Sequence, residues 1–276
     1  MLFRSNLVGP ISTYDKYQFY CQVISNGTCF VASDAAQLLI ISTTWNGSVW
    51  SNNTPDLSKV AIINGLYDTN LHGDINACSL IVNSGYSATV TPGRYFNIQN
   101  DLTVSAGGNL TVENNGSLVM IDDNGVVTNS GTTQIKRTST SYERYDYVYW
   151  SSPVATADAN IASTFTGWRT DYSFEFNTAN FYDVKTINSG GTVTAVASDS
   201  FDDYAPWAWQ RYTANMTRGK GYAIMAPTAV SFSPSALGQT VTFSGKVNNG
   251  IVPLSLVETS NTDAGYVGVK DRRAHV

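Results

Sequence analysis

The chain has 276 residues, a formal net charge of −5 and 13% charged residues, against about 25% in an average soluble domain. Asn, Ser, Thr and Gly fill the deficit, so the surface is solvated by hydroxyls and amides, a composition typical of extracellular β-proteins. The sequence contains no basic cluster of the kind that follows phosphates, which argues against nucleic acid as a partner. It also contains no apolar run of about 18 residues, which argues against a membrane-spanning helix. The length suits two or three small domains.

Residues 1–41 read as a partial immunoglobulin-like hairpin. Tyr17 to Val23 alternates like a strand, Ser25-Asn26-Gly27 turns, and Cys29 to Ile40 carries a second strand. Phe19 stands two residues before Cys21, where the tyrosine corner of such domains has its Tyr. Only the last two strands of that domain are present, and a lone hairpin is marginal in water. A disulfide between Cys21 and Cys29 fits a turn centred near Ser25. A two-residue Asn26-Gly27 turn instead pairs Cys29 with Ile24 and leaves Cys21 opposite Ala32. In a third alternative, Cys21 has lost its partner with the missing strands. The apolar stretch after Arg4 is broken by Asn6, Gly9 and Pro10, unlike a signal peptide. Leu2-Phe3-Arg4-Ser5 and Arg273-Ala274-His275-Val276 read as translated sequencing adapters, with ordinary termini as the alternative. Together these features point to a piece of a longer protein.

Residues 42–140 read as a parallel β-solenoid. Asp101 to Gly125 repeats one unit nearly three times: DLTVSAGG, NLTVENNG and SLVMIDDNG. Each is a β-prone triplet followed by residues that turn the chain. In such a triplet the outer side chains share one face and the middle one takes the other. Leu102, Val104, Leu110, Val112 and Leu118 are therefore expected inside one column of stacked rungs, with Thr103, Thr111 and Val119 outside. Similar runs lie at Ser79 to Val82, Ala88 to Val90, Tyr95 to Ile98, Val126 to Thr128 and Thr133 to Ile135. Cys78 is expected to be a buried, inert thiol, and His72 a turn residue near the first rungs.

Residues 141–257 are richer in aromatics, with Tyr142, Tyr145, Tyr147, Tyr149 and Trp150 expected along one strand. Further strands are expected at Tyr172 to Phe176, Thr192 to Val196, Gly221 to Met225, Val230 to Phe232 and Thr240 to Phe243, forming an antiparallel β-sandwich. Ala157 to Phe165 is the best helix candidate. Residues 258–276 are a tail ending in the C-terminal scar. The fold class is thus all-β: a solenoid, then a sandwich, with an immunoglobulin-like remnant before them.

Several motifs, in this order, resemble large secreted surface proteins exported by the type IX system of gliding Gram-negative bacteria. They are Trp45-Asn46-Gly47 with Trp50-Ser51-Asn52, Ala77 to Gly85, Asp146 to Val154, Arg218 to Pro227 and Phe243 to Gly250. The likeness covers about Thr43 to Leu256. It implies an extracellular or cell-surface, adhesin-like chain with no assigned reaction, whose partners are surface glycans or other cell-surface proteins. That family's continuation segment and sorting signal are absent after Val257.

Little points to catalysis. A Ser-His-Asp arrangement needs an imidazole, and the chain has only His72 and His275. Three scattered Cys and two distant His do not give zinc-ligand spacing. Glycoside hydrolysis needs two carboxyl groups over one groove, whereas Asp122-Asp123-Asn124-Gly125 reads as a turn. Gly219-Lys220-Gly221 lacks the context of a phosphate loop. Asp199, Asp202 and Asp203 form either a weak Ca²⁺ site or a solvated loop; no other cofactor is expected. Tyr204, Trp207, Trp209 and Tyr212 either stack on sugar rings or fill the sandwich core. The expected function is a noncatalytic structural module. The alternatives are a carbohydrate-binding module and, third, a solenoid polysaccharide-degrading enzyme.

Overall fold

In a computed structural model of the chain, the described residues are 17–19, 22–25, 29–32, 36–37, 41–178, 186–187, 193–194, 208–227, 232 and 238–254. The protein is nearly all β, with 7% helix, and contains a β-solenoid of about 4 turns and an antiparallel sheet. It divides into two units, Met1–Lys136 with Gly245–Gly250, and Arg137–Ser244 with Ile251–Val276.

The first unit begins with short antiparallel pairs, β1 (Gln18–Phe19) with β4 (Ala36–Gln37) and β2 (Gln22–Ser25) with β3 (Cys29–Ala32). The solenoid follows as β5 (Ser42–Trp45), β6 (Val60–Ile63), β7 (Tyr67–Asp68), β8 (Ile75–Ala77), β9 (Ser79–Val82), β10 (Ser87–Val90), β11 (Tyr95–Ile98), β12 (Leu102–Val104), β13 (Asn109–Val112), β14 (Ser117–Met120), β15 (Val127–Asn129) and β16 (Thr132–Thr138). Three parallel sheets wind around one core, in the orders β15-β12-β9-β6-β5, β16-β13-β10-β7 and β14-β11-β8.

Consecutive triplets of the eight-residue repeat occupy these three different sheets, which corrects the expected single column. Leu102 stacks on Leu80, Leu110 on Ala88 and Leu118 on Phe96. Each partner lies one coil earlier, at 102 − 80, 110 − 88 and 118 − 96, or 22 residues every time. The repeat of about eight is one side of a triangular coil, and the stacking period is nearly three times longer. The inside-outside assignment within each triplet matches expectation. Leu102, Val104, Leu110 and Val112 are buried, and the outward Val119 is 46% exposed. Leu118 is only half-buried, because β14 is an edge strand with no further coil over it. Cys78 is half-buried rather than buried, and its Sγ accepts a hydrogen bond from Asn100 Nδ2 at 3.1 Å.

The corners explain the small residues. The turns Asn83–Tyr86, Thr91–Arg94, Ser105–Gly108 and Glu113–Gly116 each close with an N–H donating to the carbonyl three residues back, at 2.7–3.2 Å. Their third residues, Gly85, Gly93, Gly107 and Asn115, have φ of 80°, 75°, 79° and 62°, as a type II turn requires. Glycines at fourth positions serve a different need: a Cβ on Gly108 or Gly116 would sit 2.8 Å from the carbonyl oxygen of Val82 or Val90 in the preceding coil. Asparagines bond between coils, Asn83 Nδ2 to Asn64 Oδ1 at 2.7 Å and Asn97 Nδ2 to Asn76 Oδ1 at 3.1 Å. At the opening coil Trp45, Trp50 and Tyr67 form an aromatic cluster, joined by His72 from the single-turn helix α1 (Thr69–His72).

Gly245–Gly250 returns from far along the chain to this unit. Asn249 Nδ2 donates to the carbonyls of Asp122 (2.9 Å) and Gly125 (2.8 Å), the corner between β14 and β15. This side chain satisfies main-chain acceptors that no following coil reaches, as a terminal cap does in repeat proteins.

The second unit contains β17 (Tyr147–Trp150), a 3₁₀ turn Thr156–Asp158, α2 (Ile161–Thr164), β18 (Arg169–Phe176), β19 (Thr186–Ile187), β20 (Val193–Thr194), β21 (Trp209–Arg211), β22 (Tyr222–Met225) and β23 (Thr240–Ser244). Four of these strands make an antiparallel sheet, in the order β17-β22-β18-β21. The expected long aromatic strand is shorter than Tyr142 to Trp150, because Tyr145 has φ 75° and breaks extended backbone before Tyr147. Tyr142 is buried and donates to Gln239 Oε1 at 2.8 Å. The expected Ala157 to Phe165 helix is split at Ala159 and Asn160. Trp150 lies against Phe165, Trp168 and Phe243, with centroids at 5.4, 5.7 and 6.2 Å. The expected strand at Val230 to Phe232 falls almost wholly outside the described residues, and of that at Thr192 to Val196 only Val193–Thr194 is described.

Candidate functional site

Strand alternation divides the four-stranded sheet into two chemically different sides. On one side Trp150, Tyr222 and Ile224 are buried with Ser173. The Ser173 hydroxyl donates to the carbonyls of Thr170 and Tyr212. On the other side the register aligns Tyr149 with Ala223, Ala223 with Phe174, and Phe174 with Arg211, while Phe176 faces Trp209. This side carries the exposed aromatic rings.

Its centre is Trp209. The indole lies 5.2 Å from Phe176, edge-on at 71°, and 5.9 Å from Tyr149, tilted by 52°. The small Ala223 lets Tyr149 and Trp209 lean together although β17 and β21 are the outer strands of the sheet. Tyr149 is 68% exposed and Trp209 half-buried. Towards Tyr147, Tyr172 lies under two guanidinium groups, Arg169 at 4.1 Å and Arg211 at 5.0 Å from its ring centroid. Arg169 also donates to Asp171 Oδ2 at 3.1 Å. That bond holds the Asp171 carboxyl below its usual range. Burial, followed by the neighbouring Tyr172, pushes the Tyr147 phenol up.

The candidates from the sequence separate here. Trp209 belongs to the aromatic side, but Tyr212 turns to the packed side, where its ring lies 5.1 Å from Tyr222 and its hydroxyl donates to the Asn215 carbonyl at 2.6 Å. Tyr204, Trp207 and the acidic Asp199, Asp202 and Asp203 lie outside the described residues. Among the described residues no cluster of three or more His, Cys, Asp or Glu is arranged to hold a metal ion. Ser25 is the partner of Cys29 in the β2–β3 register, and Cys21 lies outside the described residues. His72 ends α1, its ring 4.6 Å from Trp45. Sequence reasoning missed Tyr149 and Phe176 as ring neighbours of Trp209, and the stacking of Arg169 and Arg211 on Tyr172. The alternation Tyr172-x-Phe174-x-Phe176 was a visible signal for one aromatic side, but the strand order was not.

The outward middle positions of the solenoid are Ile62, Ile81, Thr103 and Thr128 on one sheet, Thr89, Thr111 and Gln134 with Asp68 on the second, and Asn76, Asn97 and Val119 on the third. These faces present hydroxyl, amide and aliphatic groups and one carboxyl, that of Asp68, whose Oδ1 accepts from the Asn70 N–H at 2.8 Å.

The model of a family described as "Domain of unknown function (DUF8693)" matches residues 40–275. No curated protein and no solved structure matches the chain.

Proposed function

The chain belongs to this family, and from that premise we propose that it is a noncatalytic structural, adhesin-like module of a secreted bacterial cell-surface protein. In this proposal the solenoid is a spacer. The observation that carries it is the outward column chemistry: mid-strand positions stack Thr103 beside Thr128 and Asn76 beside Asn97, where a polysaccharide-cleaving solenoid would project paired carboxylates. The low charge and the ordered motifs resembling type IX substrates support an extracellular location. We take the four-stranded sheet as one layer of a β-sandwich, supported by burial of its Trp150, Tyr222 and Ile224 side. We take β1–β4 as the end of an immunoglobulin-like domain, supported by their antiparallel pairing.

Antibody against the solenoid should label intact cells that express the parent protein; labelling only after permeabilisation would contradict the surface assignment. Incubation with a polysaccharide panel should release no reducing ends, and release that tracks the purified chain would contradict the noncatalytic assignment. A second reading, a carbohydrate-binding module, is favoured by one observation, the exposed Tyr149 ring beside the half-buried Trp209. Aromatic planes left in solvent are suited to pyranose rings, whose C–H faces are apolar and whose edges are polar.

A further inference from the structure

We propose that the aromatic side of the four-stranded sheet binds an acidic polysaccharide, a chain of uronic acid units, through stacking on Tyr149 and Trp209 and carboxylate contacts from Arg211 and Arg169. The proposal deepens the carbohydrate-binding reading and rests on it. Three observations lead there. First, Tyr149 is 68% exposed and meets Trp209 over the small Ala223. The sheet is open at this end, since a Cβ added to the adjacent Gly221 would meet nothing within 4 Å.

Second, the guanidinium groups on this side are held by an aromatic ring instead of a full complement of carboxylates. Arg211 is exposed and stacks on Tyr172 at 5.0 Å, and Arg169 lies over the same ring at 4.1 Å. A stacked guanidinium keeps its edge N–H donors available, and their fork matches a carboxylate. Third, the local charge is opposite to that of the chain. Arg169 and Arg211 against Asp171 give 2 − 1 = +1 in the cluster, whereas the whole chain is −5. A neutral glycan needs the stack alone. A uronate chain uses the stack and the cations together.

Single-stranded nucleic acid also combines rings with anions. It carries its phosphates on the backbone between the stacking bases, however, and its binding relies on a groove lined with many cations. A uronate unit carries its carboxylate on the same ring that stacks, so two guanidiniums on the aromatic side suit it without such a groove.

Affinity electrophoresis of the full chain in native gels tests the proposal, with polygalacturonate, neutral hydroxyethylcellulose or an oligouridylate as the probe. The parent should be retarded by polygalacturonate more than by the neutral polymer, and less so as salt rises. Arg211→Gln should weaken polygalacturonate binding by about tenfold, the loss of one charge-assisted contact, and leave weak neutral binding unchanged. Tyr149→Ala should weaken both, with an unchanged thermal melt as the control for folding. Equal retardation by acidic and neutral polymers, or parent-like retardation of Arg211→Gln, would overturn the uronate assignment and leave a carbohydrate binder. No retardation by either polysaccharide would overturn the carbohydrate-binding reading itself. Preferential capture by the oligouridylate would overturn the proposal in favour of nucleic acid.

Discussion

Replacing Gly125 with alanine should destabilise the solenoid far more than a one-methyl change suggests. An added Cβ would lie 2.1 Å from the Asn100 carbonyl oxygen, 2.9 Å from its carbon and 3.0 Å from the Asp122 oxygen. All three are backbone atoms, so no side chain can rotate away. Relief requires the two coils to separate, against the Leu102 N–H to Val126 carbonyl bond of 3.0 Å and the Val126 N–H to Asp101 Oδ1 bond of 2.8 Å. Overpacking costs about 1–3 kcal/mol, and loosening one such bond adds about 1 kcal/mol, giving roughly 2–4 kcal/mol in all. For a unit of roughly 100 residues, each kcal/mol lowers the melting temperature by about 4–8 °C, so a fall of at least about 8 °C is expected. Gly93→Asn is the matched control. Gly93 has φ 75° and open space around a Cβ, and Asn115 already occupies the equivalent corner at φ 62°. Asn is the side chain best tolerated in that conformation, so the change should cost only a few tenths of a kcal/mol. Thermal melts followed by circular dichroism compare the variants. A Gly125→Ala melt equal to the parent's would refute the close coil packing.

Two further perturbations probe the ends of the rod. Asn249→Ala removes the donor to the Asp122 and Gly125 carbonyls, and should cost about 1–3 kcal/mol in denaturant unfolding with faster amide exchange at that corner. Asn249→Asp should be no better, since a carboxylate cannot donate; parent-like stability of both would remove the capping role. At the opposite end burial, assisted by Asp74, pushes the Tyr67 phenol up to about 12, above the value near 10 of an unfolded tyrosine. The protonated form is favoured by the fold, so this contribution is complete below about pH 10 and is lost as pH rises through about 12. Melts across that range in the parent and in Tyr67→Phe, which cannot ionise, should diverge, and parallel profiles would contradict the buried phenol.

The inside and outside of each triplet were legible in the sequence, because Leu102, Val104, Leu110 and Val112 follow a period of two that local sterics impose. The stacking partner was not, because β-prone triplets eight residues apart suit either successive rungs or successive sides of one coil. What decides is corner geometry. The third-position Gly85, Gly93 and Gly107 turn the chain onto a new side, while Gly108, Gly116 and Gly125 are small because of atoms in the preceding coil or its corner. Asn249 caps a corner more than 100 residues earlier (249 − 125 = 124), a contact that no local pattern encodes. In the second unit, β22 inserts between β17 and β18, out of chain order. That order, which sets the strands lying between Tyr149 and Trp209, is not written in any local pattern, whereas Trp209 and Tyr212, three residues apart, face opposite sides by strand alternation alone.

The most direct measurement of the coil is a set of spin-label pairs, in a background with Cys21, Cys29 and Cys78 replaced by serine. Thr89 and Thr111 are register partners on neighbouring strands, so labels there should lie about one strand spacing of 4.8 Å apart at the backbone and show strong dipolar broadening. Labels at Thr103 and Thr111, one eight-residue repeat apart but on different sheets, should show much weaker broadening. Strong broadening for Thr103 with Thr111 and none for Thr89 with Thr111 would contradict the 22-residue coil and restore the eight-residue rung.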